Sequence, residues 1–337
     1  MMLLILVIIV LSISSAISFA MSSALEVSGM RHRADRARAA LIARSGLAVA
    51  YRALKDDLQL GKGLATQNLE TAEDPWYLLG EVEAELPDHG RLRVEVRDLG
   101  TRINLNGLFD ATMEPHPTSR DFLAKVLAKV IRDLPGRAED KPYDAKHLAD
   151  AFLDWIDVDG RTRMGSREAT HYKSRGSIYG PRNRRLFSLG ELGDVPGVDD
   201  VLLDALDDYL TVHPVYADLN EAGLNPNTAP GWMLGLIYLG NSEHREMLNY
   251  REVLSTLRER AEGRIFCPYS EEDPCMNFKL SVGEEGASAF PPLSYYNRAF
   301  KVRSLAHYRE TTACVSAVVE RRGAQDVRPI AYEMDCR

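Results

Sequence analysis

The sequence predicts an α+β fold: a long N-terminal helix packed on a small antiparallel sheet, with a large all-α domain inserted into that sheet. Residues 1–25 carry no Asp, Glu, Lys, Arg or His. Strand-like alternation occurs only near the two ends of the chain, and the stretch between them has mostly helical periodicity. Because a two-stranded hairpin is marginal by itself, we expect the early and late strands to join one sheet.

The composition is that of a globular protein with an acidic balance. The chain has 337 residues, of which 45% are hydrophobic and 27% charged, with a net charge of −8. This length suffices for one large domain or two ordinary ones. The net negative charge argues against a nucleic-acid surface over the whole chain.

The first 60 residues predict one helix, with a transmembrane half at 1–25 and a second half at 26–60 outside the lipid. About 20 apolar residues span a bilayer core as a helix. The predicted membrane anchor comprises Leu3, Leu4, Ile5, Leu6, Val7, Ile8, Ile9, Val10 and Leu11. Two alternatives remain open. One is a cleaved secretory signal ending at Ser18-Phe19-Ala20, and the other is an anchor with the body in the cytoplasm, because arginines follow the span.

Alternating residues predict the two parts of the sheet. The first part covers 76–106, where Val82, Ala84 and Leu86 alternate with acids before a turn at Pro87–Gly90. Residues 102–106 are either a third strand or the exit from the sheet. The returning strands are predicted at 286–337.

The inserted α-helical domain is predicted at 107–285. Three-to-four spacing of apolar residues indicates its helices. They are expected at 119–134, from about 144 to 156, at 202–210, at 230–239 and at 247–260.

An acidic loop follows the second of these helices. Asp157, Asp159 and Glu168 stand at relative positions 1, 3 and 12, which are acidic ligand positions of a calcium loop. Position 6 is Thr162, where an EF-hand needs glycine. Three arginines balance the three acids, so a salt-bridged loop without metal remains the alternative; they are Arg161, Arg163 and Arg167.

A second block has a helix, a Pro196-Gly197 turn and another helix, in the style of a helix-hairpin-helix module. Between Leu186 and His244 there are ten acids and no Lys or Arg. Phosphate binding needs basic groups, so the block predicts a packing module with an acidic face and no nucleic-acid binding. Three of these acids are expected on the solvated face of one helix: Asp204, Asp207 and Asp208.

The four cysteines are disulfide candidates: Cys267, Cys275, Cys314 and Cys336. An even number behind an export-like N-terminus permits disulfides, and three connectivities are open. Pairing of Cys267 with Cys275 closes a short loop, and pairing of Cys314 with Cys336 staples two C-terminal strands. Four free buried thiols are the alternative. The C-x7-C spacing fits no standard zinc pattern.

Three blocks together carry a family resemblance. They are the Asp-Trp-Ile-Asp-x-Asp block at 154–159, the Phe-x-x-x-Glu-Leu stretch at 187–192 and the Asn-Pro-Asn-Thr-Ala-Pro block at 225–230. With the overall layout, they make the chain resemble the K subunit family of the general secretion pathway, minor pseudopilins of type II secretion systems. The resemblance covers nearly the whole chain and is weakest at 240–295.

The resemblance implies a type IV pilin-like fold with an inserted helical domain, and Ca2+ bound at Asp157, Asp159 and Glu168. It implies a non-enzymatic protein in the inner membrane, single-pass, with its body in the periplasm. The implied partners are the I and J minor pseudopilins, bound through the long helices, in a complex that caps and nucleates a short pseudopilus for export of folded proteins. It also implies a short basic leader removed after Gly, and the sequence opens on Met1-Met2.

The other functional classes have weaker support in the residues. A signal-cleaved secreted module that uses its helix-hairpin-helix for nucleic acid is the main alternative. No Ser-His-Asp, Cys-His or glycine-rich phosphate-loop pattern occurs with usable context, so no enzymatic activity is predicted.

Overall fold

A computed structural model describes residues 2–58, 69–136, 142–163, 165–174, 180–216, 223–240, 245–268, 274–283, 288–323 and 325–334. The helices are α1 Met2–Asp57, α2 Pro75–Leu78, α3 Ser119–Asp133, α4 Ala145–Ile156, α5 Glu168–Ser174, α6 Asp200–Tyr209, α7 Gly231–Leu234, α8 Tyr250–Ala261 and α9 Phe278–Ser281. The strands are β1 Glu83–Leu86, β2 Gly90–Asp98, β3 Ile103–Asn104, β4 Leu210–Thr211, β5 Tyr238–Gly240, β6 Arg245–Met247, β7 Ile265–Phe266, β8 Cys275–Met276, β9 Ser288–Phe290, β10 Ala299–Tyr308, β11 Thr311–Gly323 and β12 Asp326–Glu333.

The early hairpin and the late strands form one antiparallel sheet, in the order β1-β2-β10-β11-β12. In its centre, Val302 of β10 pairs with Val96 on one side and Ala317 on the other. The inner face of the sheet is apolar because strand residues alternate between faces, and β2 shows this alternation in its burial. The predicted α+β fold class is therefore confirmed.

The second half of α1 lies on the inner face of the sheet. Its contact side recurs every three or four residues and is fully or nearly buried, at Ala39, Ala43, Leu47, Ala50 and Leu54. Small residues allow a close approach of helix and sheet. At Gly46 an added Cβ would meet Ser304 Oγ at 2.1 Å.

The inserted domain lies at the end of the sheet that is farthest from the apolar start of α1. The Arg38 side chain donates to the Tyr308 hydroxyl at 2.7 Å, where β10 ends. At the other end of the helix, Asp57 pairs with Arg321. The chain leaves the sheet after Asp98 and returns at Ala299, which is this second end. A separate core fills the inserted domain, built around Phe122, Phe152 and Trp155.

Short strands inside the inserted domain correct three predictions. Residues 103–104 pair in parallel with Leu210–Thr211, so 102–106 are the exit from the main sheet and not a third strand of it, and the first part of the sheet, predicted at 76–106, ends at Asp98. The helix predicted at 230–239 is the four-residue α7 followed by β5. The strand at 288–290 pairs with β5, so the return to the main sheet occurs later than predicted. Strands of two or three residues are too short to show an alternation.

Candidate assembly helix and metal centre

The first half of α1 projects from the sheet and exposes apolar side chains. Among the predicted anchor residues, the side chains described are at least half exposed: Ile5, Leu6, Ile8, Ile9 and Leu11. The side chains of Leu3, Leu4, Val7 and Val10 lie outside the described part. The helix is long and apolar enough to cross a membrane. Residues 2–25 rise about 36 Å, more than the ~30 Å hydrocarbon core of a bilayer.

The acidic loop brings two carboxylates together at the end of α4. Asp154 and Asp157 are both 4% exposed. The backbone N–H of Arg163 donates to both carboxylate oxygens of Asp154, at 3.3 and 3.1 Å. The Arg163 guanidinium lies 3.5 Å from Asp154 Oδ1 and 3.9 Å from Asp157 Oδ2. The loop therefore holds two buried acids against one arginine.

Burial raises the pKa of both acids. Loss of hydration is the largest cause, and it raises the pKa of Asp154 to about 6 and that of Asp157 to about 7. The negative charge of Asp159 raises both further, and the Arg163 cation lowers both. A carboxylate with such a pKa gains from a bound cation near neutral pH.

The donor set of this loop fits a hard cation such as Ca2+. The Oδ1 atom of Asp157 is buried and has no hydrogen-bond partner within the described part of the chain. Asp159 Oδ1 accepts the backbone N–H of Arg161 at 2.7 Å and is otherwise solvent-facing. Glu168 begins α5, but its side chain lies outside the described part. Calcium prefers such clustered carboxylate oxygens.

Sequence reasoning missed Asp154 and treated the arginines as equivalent. Asp154 precedes Asp157 by three residues on the last turn of α4, and this spacing places the two carboxylates on the same side of the helix end. Of the three arginines, Arg163 lies against both acids, whereas Arg161 and Arg167 face each other across an isolated bridge.

The cysteines are oxidised where the structure describes them. Cys267 and Cys275 form a disulfide with a Cα–Cα distance of 5.5 Å. Both are 2% exposed and pack against Leu69. Cys314 is also disulfide-bonded, and Cys336 lies outside the described residues.

A buried arginine joins the end of α1 to the sheet. The Arg321 guanidinium donates to Asp57 Oδ2 at 2.9 Å, to the Leu54 carbonyl at 3.2 Å and to Glu70. The carboxylate oxygens of Asp57, Glu70 and Asp74 lie within 4.8 Å of one another, and Arg321 supplies positive charge beside them. Burial, as the largest cause, raises the pKa of Glu70 well above its ordinary value.

The Asn-Pro-Asn-Thr block fastens the inserted domain to this joint. Asn225 donates to the Glu70 carbonyl at 3.2 Å and to Asp98 Oδ2 at 3.0 Å, and Thr228 donates to the same oxygen at 2.7 Å. Asn227 exchanges two hydrogen bonds with the backbone of Phe266, at 2.9 and 2.7 Å. The block is therefore a structural connector within the fold.

The predicted helix-hairpin-helix-like block has an unusual first part. Residues 189–194 form a 3-10 helix with a Ser188–Glu191 capping box, and α6 follows the Pro196-Gly197 turn. Asp207 of α6 was predicted on the solvated face; its side chain is 45% exposed, and it also pairs with Lys301 of β10 at 2.6 Å. An ion pair therefore joins this acidic helix to the central strand of the sheet.

Comparisons with known proteins point to one family. Residues 101–215 match the family model described as "Type II secretion system (T2SS), protein K". A type II secretion system protein K of Dickeya chrysanthemi is 31% identical over 115 residues, which are 34% of this chain and 31% of that protein. A putative protein K of Escherichia coli strain K12 is 26% identical over 145 residues, 43% of this chain and 42% of that protein. The chain thus spans about a third to two fifths of the length of the curated relatives it matches.

The fold is also found in a solved complex. A chain of the GspK-GspI-GspJ complex from the type 2 secretion system of enterotoxigenic Escherichia coli matches with a TM-score of 0.62. The match covers 91% of this chain and 99% of that chain at 21% sequence identity. At this identity, the match establishes the fold: a pilin-like helix and sheet with an inserted helical domain.

Proposed function

From the premise that this chain is a member of the type II secretion system protein K family, we propose that it is a non-enzymatic minor pseudopilin at the tip of the pseudopilus. Its α1 helix would hold it in the inner membrane, and its body would lie in the periplasm. The observation that carries the proposal is the union, in one chain, of a protein K domain at 101–215 with a projecting helix of exposed apolar residues.

The position of the inserted domain supports a tip location. From Arg38 to Asp57, α1 rises about 28 Å along the sheet, and the inserted domain begins beyond its far end. A subunit stacked on this end would meet the bulk of the inserted domain. The buried disulfide supports a periplasmic body, because disulfides persist in oxidising compartments.

The proposed partners are the I and J minor pseudopilins of the same organism, as in the complex that shares this fold. The apolar residues of α1 that face away from the sheet offer a contact for their helices; Leu41 is 63% and Val49 44% exposed. Full-length chain co-expressed with I and J is expected to co-purify with both. Leu41→Asp with Val49→Asp should abolish this, whereas Val82→Asp, also 63% exposed, should leave it intact.

Two results would contradict this assignment. One is a wild-type chain that purifies without either partner from membranes in which both are present. The other is equal co-purification of the α1 variant and the wild type. Labelled chain found along the whole filament, rather than at one end, would refute the tip location alone.

We further propose that the loop at 154–168 binds Ca2+ through Asp154, Asp157 and Asp159, with Glu168 as a fourth acid. The ion would neutralise two buried carboxylates that otherwise share one arginine. Ca2+ at about 100 times its dissociation constant should raise stability by about 2.7 kcal/mol, or roughly 5 °C in Tm. Asp157→Asn should remove this gain, and Asp200→Asn, a change of an exposed acid, should retain it.

The pH dependence of this site has a definite sign. A raised carboxyl pKa contributes stability at low pH that is lost as the pH rises through about 7, the folded pKa of Asp157. Without Ca2+ the wild type should therefore lose stability between about pH 4 and 7, and Ca2+ should restore it most above pH 7. Equal Tm values in Ca2+ and in chelator at pH 8 would argue for the salt-bridged loop without metal.

A further inference from the structure

Arginines surround α1 directly after its uncharged stretch. Arg31, Arg33 and Arg36 are all exposed, and they lie between the apolar stretch that ends at Leu25 and the first buried residue of the domain, Ala39. We call residues 26–38 the neck, because the helix there is exposed or half-buried throughout.

The three side chains occupy two opposite sides of the helix, with Arg33 and Arg36 about 60° apart on one side and Arg31 on the other. At about 100° per residue, Arg33 lies about 200° and Arg36 about 140° from Arg31. They therefore form a collar and not a stripe. Charges along one side of a helix favour contact with one partner helix, whereas charges on opposite sides favour contact with surrounding groups of the opposite charge.

The collar begins just beyond the lipid headgroup layer, within reach of the negative potential of an anionic membrane surface. With a rise of 1.5 Å per residue, Arg31 is about 9 Å and Arg36 about 17 Å beyond Leu25. Helical side chains tilt toward the N-terminus, so these long side chains lean back toward the membrane. The polar headgroup layers add several ångströms to each side of the ~30 Å hydrocarbon core.

Of the two acids of the neck, Asp35 is already neutralised by the domain, and Glu26 lies at the membrane end, five residues before Arg31. Asp35 pairs with Arg309, from the turn between β10 and β11, at 3.2 Å. Arg38 donates a hydrogen bond to the hydroxyl of Tyr308, the last residue of β10. Because Asp35 and Arg38 already have partners in the domain, the positive charges of Arg31, Arg33 and Arg36 can interact with other groups. The contact with Asp35 also places Arg309 on the side of the domain that faces the neck.

We propose that Arg31, Arg33 and Arg36 bind the anionic headgroups of phospholipids in the membrane that α1 crosses. The inference rests on the proposed membrane anchoring but not on which side the body occupies. Positive charge after a membrane span ordinarily indicates that this side of the span lies in the cytoplasm. Binding of lipid headgroups gives these arginines another role that does not depend on orientation.

The test uses full-length chain purified in mild detergent with equal amounts of phosphatidylglycerol and phosphatidylcholine. Bound lipid is quantified by mass spectrometry. Each arginine near an anionic surface favours binding about five-fold, so the wild type should be enriched in phosphatidylglycerol and lose the enrichment at high salt. The phosphatidylglycerol enrichment of the variant R31Q/R33Q/R36Q should be at least five-fold lower than that of the wild type. The variant R31K/R33K/R36K should retain most of the enrichment.

A matched control separates the collar from net charge. The outer face of the sheet carries exposed arginines that include Arg91, Arg93 and Arg303, so R91Q/R93Q/R303Q changes the net charge equally, away from the neck. This control should keep the wild-type lipid ratio. An unchanged ratio in the collar variant, or an equal loss in the sheet variant, would overturn the inference.

Carbonate extraction of membranes distinguishes failure of the inference from failure of the anchoring. If the wild-type chain resists extraction but shows no phosphatidylglycerol enrichment, the collar inference fails while the anchor stands. If the wild type is released by carbonate, both the anchor and the collar inference fail.

Discussion

Replacement of Arg321 by leucine is expected to weaken the joint between α1, the sheet and the inserted domain. The Arg321 side chain is 2% exposed and pairs with Asp57 and Glu70, which are equally buried. Leucine has no donor, so both carboxylates would remain buried without their cation. The perturbation therefore removes one partner of a buried ionic cluster and leaves the other partners in place.

The magnitude follows from the cost of an uncompensated buried charge. Removal of one partner from a buried ion pair costs about 3–5 kcal/mol. At roughly 2 °C per kcal/mol for a chain of this size, Tm should fall by about 6–10 °C. Burial raises the pKa of Glu70 well above its ordinary value of 4.5, while the Arg321 cation lowers it. Loss of the cation should therefore raise this pKa further.

The sign of the pH dependence follows from this raised pKa. Protonated Glu70 stabilises the folded state at low pH, and this contribution is lost as the pH rises above 4.5 toward the folded pKa. The difference in Tm between the wild type and Arg321→Leu should thus be small near pH 4.5 and widen with increasing pH. Tryptophan fluorescence of full-length chain in detergent, recorded at a series of pH values, measures it.

An exposed arginine on the neighbouring strand serves as the control for Arg321→Leu. Arg303→Leu, an exposed arginine on the neighbouring strand, should change stability by less than about 0.5 kcal/mol at every pH. The Arg321 guanidinium also lies 4.7 Å from the centre of the Phe300 ring. A loss of equal size at all pH values would therefore show that lost packing, and not uncompensated charge, explains the effect.

Two further changes test the packing of α1 and the disulfide. Gly46→Val should lower the free energy of unfolding by about 1–3 kcal/mol, because its Cβ would clash with Ser304 Oγ. Gly29→Ala, whose added Cβ would lie 3.8 Å from its nearest neighbour, should raise or retain Tm. Similar effects of the two changes would contradict the close approach of helix and sheet at Gly46. Replacement of Cys267 and Cys275 by serine should cost about 2.5 kcal/mol, since the loop is short, and a denaturant midpoint equal to that of the wild type would contradict it.

The main elements of the fold follow from patterns in consecutive residues. The uncharged start of α1, the alternation in β2 and the spacing from Ala39 to Leu54 each predict an element that the structure contains. The recognition of protein K is confirmed by the family model over 101–215, which contains two of the three blocks. The proposed roles at the tip and with I and J remain predictions.

The short elements and the joints could not be predicted from local patterns. The two-residue β3 pairs with β4 more than 100 positions away, and nothing in their spacing encodes this contact. Arg321 did leave a signal, because it continues the buried face of β11 after Val315, Ala317 and Val319. An arginine on an apolar face predicts a buried counter-charge, but not which acids supply it.

The sequence alone determined that an apolar helix is followed by a sheet in two parts with a helical domain inserted between them. It could do so because periodicity and the length of an apolar stretch are properties of neighbouring residues. Only the tertiary structure decided which charges meet. Glu70 lies 251 residues from Arg321, and Asn225 lies 127 from Asp98. Such pairs form because burial penalises every unpaired polar group, and this penalty arises only when distant segments pack together.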